Sequence, residues 1–243
     1  MNSGAILSRF GVAVRLHNTT LGLSALTVLA LAGCSNGSTS ATSPTASTPV
    51  RPEGKDASAP RPLFSAALSK RLLDEGDLGE GYIRKPEQPK RHDAVTVTGC
   101  PALEKLGDQA AVGGSRDFPR RAKASFIYTG SSDSEVAEEL YSDTEQRLSD
   151  GVGRIFEAMT SCRTYQVSLG STPVTITTRK VLAEARLGEE RWSQQLTFTA
   201  GGRSSVVKQT VVGVGRVVAV VSGSSALVDA HVERAVAKAR GAH

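Results

Sequence analysis

The chain has 243 residues, 39% apolar and only 5% aromatic, with 29 basic against 24 acidic side chains and a formal charge of +5. So mild an excess of charge does not point to nucleic acid, which calls for a clustered basic face. The length allows one domain with a substantial core, and that core must be built from Val, Ala and Leu with few rings.

Met1 to His17 carries Arg9 and Arg15 and no acid. The apolar run Leu21 to Ala32 follows. It is too short for a comfortable transmembrane helix and has the flanks of a signal peptide. The run ends on Leu31-Ala32-Gly33-Cys34, which resembles a bacterial lipobox at all four positions. Residues 1–33 are therefore expected to be removed as a lipoprotein signal peptide. Cys34 would become the new N-terminus, carrying lipid (palmitate) on its sulfur, and the mature charge would fall to +3. An ordinary secretory signal with a chance cysteine is the alternative. Residues 34–61 are rich in Ser, Thr, Ala, Pro and Gly, cannot bury enough surface to order themselves, and are expected to act as a disordered tether.

Residues 62–243 are expected to form the domain. Leu63, Ala66, Ala67, Leu68 and Leu72 give helical spacing, so a short helix is expected over Leu63 to Leu73, then a loop from Asp74 to Gly81. Tyr82 to Lys85 starts a strand. Lys85 to Asp93 reads as an exposed loop, Thr96 to Thr98 as extended, and Pro101 as the first turn of a helix continuing to Gln109. Ala111 to Arg121 reads as loop. Ala124, Phe126 and Tyr128 alternate as a strand, and Thr129 to Asp133 turns. Val136, Leu140, Tyr141, Thr144 and Leu148 then fall on one helical face, with Glu135, Glu138, Glu139, Asp143 and Gln146 largely on the others. A second helix is expected from Asp150 to Cys162, on the stripe Val152, Ile155, Phe156, Met159 and Cys162.

From Thr172 the pattern becomes β-rich. Strands are expected at Thr172 to Thr178, Val181 to Arg186, Trp192 to Phe198, Val206 to Val212 and Arg216 to Ser222. Breaks fall at Leu187-Gly188-Glu189-Glu190, Gly201-Gly202 and Gly213-Val214-Gly215. Ser224-Ser225 caps a last helix with Val228, Val232, Ala235, Val236 and Ala239 on its packing face. Consecutive strands joined by short turns demand antiparallel pairing. The expected class is α+β, a single domain with an antiparallel sheet flanked by helices.

Two cysteines remain after Cys34. An exported chain meets an oxidising environment, so Cys100 and Cys162 are expected to pair. Metal or catalytic thiol chemistry is the weaker alternative, because no histidine or further cysteine lies near either. Closing a loop of about 60 residues stabilises a fold by about 4 kcal/mol in the chain-entropy model.

Motifs for chemistry are sparse. His92 and His231 lack zinc-ligand spacing, so neither a metal nor a cofactor is expected. Ser205-Val206-Val207-Lys208 fits the Ser-x-x-Lys pattern of penicillin-recognising enzymes. That chemistry needs the pair on neighbouring turns of a helix, and here it falls in an expected strand. Glu138-Glu139 and Glu189-Glu190 read as solvated charge rather than glycosidase carboxylates. Arg84, Lys85, Lys90, Arg91, Arg116, Arg120, Arg121 and Lys123 read as loop cations. Trp192 is expected in the core beside Leu196 and Phe198, and with Arg216 it is the only weak candidate for ligand contact.

The lipobox, the tether, Gly99-Cys100-Pro101 entering a helix, a helix ending at Cys162, Leu187-Gly188-Glu189-Glu190 before a Trp strand, and Gly215-Arg216 leading into Val-rich β resemble actinobacterial surface lipoproteins. In particular they resemble the extracellular sensor-like domain of the mycobacterial receptor kinase PknH, which also occurs alone in lipoproteins. The resemblance implies an antiparallel sheet with flanking helices and a groove for an unidentified ligand. The family usually carries two disulfides, whereas this chain can form one outside the lipobox. No kinase segment is found, so signalling would pass through a partner. The function expected is that of a non-enzymatic ligand-binding or sensor module on the extracytoplasmic face of the cell membrane. Its partners would be the membrane, through the lipid on Cys34, and an unknown small ligand or envelope protein. A lipid or wall-precursor carrier is the alternative, and a wall hydrolase ranks below both.

Overall fold

Nine strands among the described residues form one antiparallel sheet in the order β1-β3-β4-β9-β8-β7-β6-β5-β2. The computed structural model describes residues 61–87, 95–106, 118–130, 134–169, 172–188 and 190–241. The strands are β1 (Tyr82–Arg84), β2 (Val95–Thr98), β3 (Arg121–Tyr128), β4 (Ser134–Ser142), β5 (Thr164–Leu169), β6 (Thr172–Lys180), β7 (Arg191–Ala200), β8 (Arg203–Val214) and β9 (Val217–Gly223). The described helices are α1 (Ser65–Ser69), α2 (Glu75–Leu78), α3 (Pro101–Leu106), α4 (Glu145–Ser161) and α5 (Ser225–Arg240). The expected antiparallel sheet is present, but the domain is mostly sheet, with fewer helical residues than expected.

The helices divide between the two faces. On the first face, α5 contributes Val228, Val232, Ala235, Val236 and Ala239. With Leu68, Leu72, Leu73 and Leu78 of the N-terminal segment, they bury Ala122, Ala124 and Phe126 of β3, Val136 and Leu140 of β4, and Val217, Ala219 and Val221 of β9. On the second face, α3 and α4 set Leu103, Ala158 and Met159 against Val95, Val97, Tyr165, Val167, Val174, Ile176, Leu196 and Phe198 of the opposite half of the sheet. A smaller cluster of Phe118, Tyr141, Leu148, Val211 and Val218 joins them near the middle. Residues two apart on a strand share a face, so each strand splits its side chains between the two cores. The run Val217 to Val221 is apolar on both sides because β9 is central and covered above and below.

Two glycines are needed where backbones approach. Gly223 ends β9 at φ 152°, and a Cβ there would lie 2.1 Å from the Glu135 carbonyl oxygen. Gly151 of α4 lies against Phe118, whose ring would meet an added Cβ at 2.5 Å.

Several expectations are corrected. Val136 to Leu148 is not one helix: Ser134–Ser142 is strand β4, and α4 begins only after Thr144, whose Oγ1 accepts the Arg147 N–H. A helical reading put the glutamates on a wet face. In fact Glu135 and Glu138 are buried, and the true period is two. The loop expected over Ala111 to Arg121 ends one residue early, since Arg121 and Lys123 are strand residues of β3. The helix expected from Leu63 to Leu73 is only α1, and a further turn, α2, falls within the expected loop. Asp74 caps α2, accepting from Asp77 N, while Asp77 returns the bond to Asp74 N. Val181 to Arg186 is not a strand: 181–184 lack regular structure and Ala185–Leu187 is a 3-10 turn. β5 was not expected. Of the expected Gly213-Val214-Gly215 break only Gly215 is in the turn, which it makes with Arg216; Gly213 and Val214 belong to β8.

Cys100 and Cys162 form a disulfide with Cα atoms 5.7 Å apart. Cys162 stands just past α4, in extended backbone, and not on the helix face. The bridge fastens the β2–α3 junction to the end of α4.

Candidate functional site

On the second face Phe118 and the α4 residues Leu148 and Val152 pack with Tyr141, Val211 and Val218 of the sheet. A row of cross-strand neighbours forms a floor on this face: Lys123, Glu139, Val220, Val211 and Trp192, one from each of β3, β4, β9, β8 and β7. The next row holds Ser125, Ala137, Ser222, Gln209 and Gln194. Pairing in register brings side chains on one face to within about 5 Å of their cross-strand neighbours. Charged residues thus stand at one end of the floor and an aromatic at the other.

The polar groups of the floor hold one another. Lys123 Nζ donates to Glu139 Oε1 at 2.7 Å, and the Tyr141 hydroxyl donates to Glu139 Oε2. Both carboxylate oxygens are engaged. Burial and the adjacent Glu139 charge hold the Tyr141 phenol well above its ordinary range, so it remains a donor. Gln194 is fully buried. Its Nε2 donates to Gln209 Oε1 at 2.8 Å, and its own carbonyl oxygen has no partner. Gln209 and Val220 are half-buried, open to contact from above. Of the two rows, Val211, Ala137, Ser222 and Gln194 are buried, and Lys123, Glu139, Val220, Gln209 and Trp192 are half-buried.

Trp192 lies on the same side of β7 as Leu196 and Phe198, as expected, but it is half-buried. Its ring centroid is 6.5 Å from that of Phe156, at the margin of the central cluster. It is the one sequence candidate that borders the floor. Arg216 does not: it sits in the β8–β9 turn, and its carbonyl accepts from Ser142 Oγ at 2.8 Å. Cys34 and His92 lie outside the described residues. His231 of α5 is half-buried and bonds the Tyr82 hydroxyl at 2.6 Å, with burial pushing its imidazole below the ordinary value. Ser205 and Lys208 stand on opposite faces of β8, and Lys208 pairs with Asp229. Among the described residues no group of three or more His, Cys, Asp or Glu is placed to hold a metal ion, and no helix is long and apolar enough to cross a membrane.

Sequence reading missed Lys123, Glu139 and Tyr141 because it put the first in a loop and the other two on a helix. The alternation Val136, Glu138, Leu140 against Ala137, Glu139, Tyr141, following a strand and a short turn, was the signal for a hairpin.

The fold is a nine-stranded antiparallel sheet with helices packed on both faces. No protein-family model and no curated protein sequence matches the chain. Among solved structures the chain is similar to the extracellular domain of PknH from Mycobacterium tuberculosis, with a TM-score of 0.54 and 14% sequence identity. The match covers 74% of this chain and 96% of that domain. At that identity the fold is what the two share.

Proposed function

We propose that this protein is a lipid-anchored, extracytoplasmic binding or sensor module without enzymatic activity, of the kind found among actinobacterial surface lipoproteins. The observation that carries the reading is the likeness in fold to almost the whole of a receptor kinase's extracellular domain. The lipobox ending at Cys34 supports the same compartment independently, and so does the Cys100–Cys162 disulfide, which is stable where the environment is oxidising. Residues 1–33 are the signal peptide and residues 34–61 the tether. The floor between Lys123 and Trp192 is the surface offered to a small ligand or envelope protein. The engagement of both Glu139 oxygens favours recognition over hydrolysis there.

The experiment is fractionation of cells expressing the chain and its Cys34→Ser variant, with mass spectrometry of the membrane-extracted protein. Wild type is expected in the membrane fraction with a diacylglyceryl-modified Cys34, and the variant in the soluble exported fraction. A reduced, unprocessed chain in the cytosol would overturn the reading. A lipid beyond the anchor, co-purifying one to one with the domain, would favour the carrier function instead.

A further inference from the structure

The N-terminal segment Leu63–Leu78 enters the fold as a strap across the first face. Besides its buried leucines and the ion pairs of Asp74 and Asp77, hydrogen bonds fasten it to the sheet and to α5. Leu63 N–H donates to Ser142 Oγ at 2.8 Å, Ser65 Oγ accepts from Arg121 N at 3.1 Å, Arg71 Nη1 donates to the Ala239 carbonyl at 2.8 Å, and Leu73 N–H donates to Glu138 Oε2 at 2.6 Å. The last contact differs in kind. Glu138 is wholly inaccessible to solvent, and its other oxygen, Oε1, has no partner.

The surroundings of this carboxyl are known from each element packed on it. Its register neighbours are Ala124 on β3 and Val221 on β9, and Val136 and Leu140 flank it on β4, all apolar. The charged groups near it come from above. Asp74 and Asp77 belong to the strap, Lys238 and Arg234 to α5, and they are paired with each other: Lys238 with both aspartates, Arg234 with Asp77 at 2.9 Å. Arg71 is spent on Ala239, and His231 of α5 on Tyr82. Among the described residues no cation forms an ion pair with Glu138.

We propose that Glu138 is a proton-operated latch: protonated, it seats the Leu63–Leu78 strap on the sheet, and ionised, it loosens that strap. The physical asymmetry is plain. A protonated carboxyl keeps one oxygen as acceptor for Leu73 and buries one unsatisfied hydroxyl. An ionised one buries a whole charge against a single N–H donor and apolar walls, which costs far more. Burial accordingly holds the group up at about 8, against the weaker pull of the Leu73 N–H and Lys238. The aspartates of the strap are displaced the other way. The Lys238 hydrogen bond lowers Asp74, while for Asp77 the bonds from Lys238, Asp74 and Arg234 outweigh burial. They stay charged throughout the window in which Glu138 titrates. His231, pushed below its ordinary value, is already neutral there. The latch thus loosens progressively as pH rises from the ordinary carboxylate value towards about 8, while the ion pairs around it stay charged.

The test is hydrogen exchange of the full chain at pH 6 and pH 9, corrected for intrinsic rates, alongside carbon-13 NMR titration of the Glu138 carboxyl. Amides of residues 63–78 should lose at least roughly tenfold in protection at the higher pH, one pKa unit's worth of linkage. Those of β6 and β7 should change little. Glu138→Gln, which keeps an acceptor for Leu73 and cannot ionise, should hold the strap's protection nearly constant between the two. Equal loss in Glu138→Gln and wild type, or a Glu138 carboxyl titrating in the ordinary acidic range, would overturn the latch. Should the variant fail to fold, the titration of the wild-type carboxyl decides alone.

Discussion

The two halves of the sheet are built from the same kind of strand and closed by different physics. The half carrying β2, β5, β6 and β7 is covered by α3 and α4, filled with aliphatic and aromatic side chains, and stapled covalently by Cys100–Cys162. The half carrying β1, β3, β4 and β9 is covered by the strap and α5 without a disulfide among its described residues. Its lid is held by buried leucines, an ion-pair cluster of Asp74, Asp77, Arg234 and Lys238, and one buried carboxyl. A covalent bond is indifferent to pH and salt, whereas ion pairs are screened by salt and a buried acid is linked to protons. One half should therefore answer to redox conditions and the other to ionic ones.

The largest separation of the halves should come from the bridge. Cys100→Ala with Cys162→Ala should cost about 4 kcal/mol by the loop-entropy estimate, read as a fall in denaturation midpoint. Exchange protection should be lost first around β2 and α3, and a uniform loss that includes the strap would break the contrast. Leu68→Ala, at a fully buried strap position, should cost about 3 kcal/mol and reverse the pattern, exposing the strap first. Next comes pH. Glu138 has its folded-state value raised from 4.5 to about 8. Its stabilising contribution is thus fully present below 4.5 and is lost as pH rises towards about 8. The slope is at most about 1.4 kcal/mol per pH unit. Urea titrations from pH 5 to 8 should show that decline in wild type and a flatter line in Glu138→Gln. Lys238→Met, keeping the apolar stem and dropping the charge, should cost about 1 kcal/mol at low salt and less at high salt. The same salt series should leave β5 to β7 untouched. Smallest of all is Thr197→Lys, on the solvent-facing side of β7 opposite α4, expected within about 0.5 kcal/mol of wild type. A larger loss would mean that this face is covered.

How much of this was legible in the chain differs by region in the same way. From Trp192 to Ala239, strands, turns and the last helix follow the text closely, because alternation and glycine turns are local signals and the apolar face is uninterrupted. The disulfide followed from the expected compartment and the cysteine count. At β4 the reading failed. Glu135, Glu138 and Glu139 look like a wet helix face, but Lys85 pairs with Glu135, Lys123 with Glu139, and Leu73 donates to Glu138. Each of those partners is distant in sequence, so no local pattern could announce that three carboxylates sit on a strand. The candidate floor was illegible for the same reason, since it is a row drawn from five strands.

Composition, alternation and cysteine arithmetic alone determined an antiparallel sheet with a valine-rich centre, a terminal helix and one bridge. Only the tertiary structure decided which half of the sheet each helix covers, which residues the floor brings together, and that Glu138 is sealed in the interior. Apolar periodicity states which side chains leave water, and that is a property of neighbours along the chain. What a buried polar group meets there is set by the strands and helices that close over it, and those come from far away in the sequence.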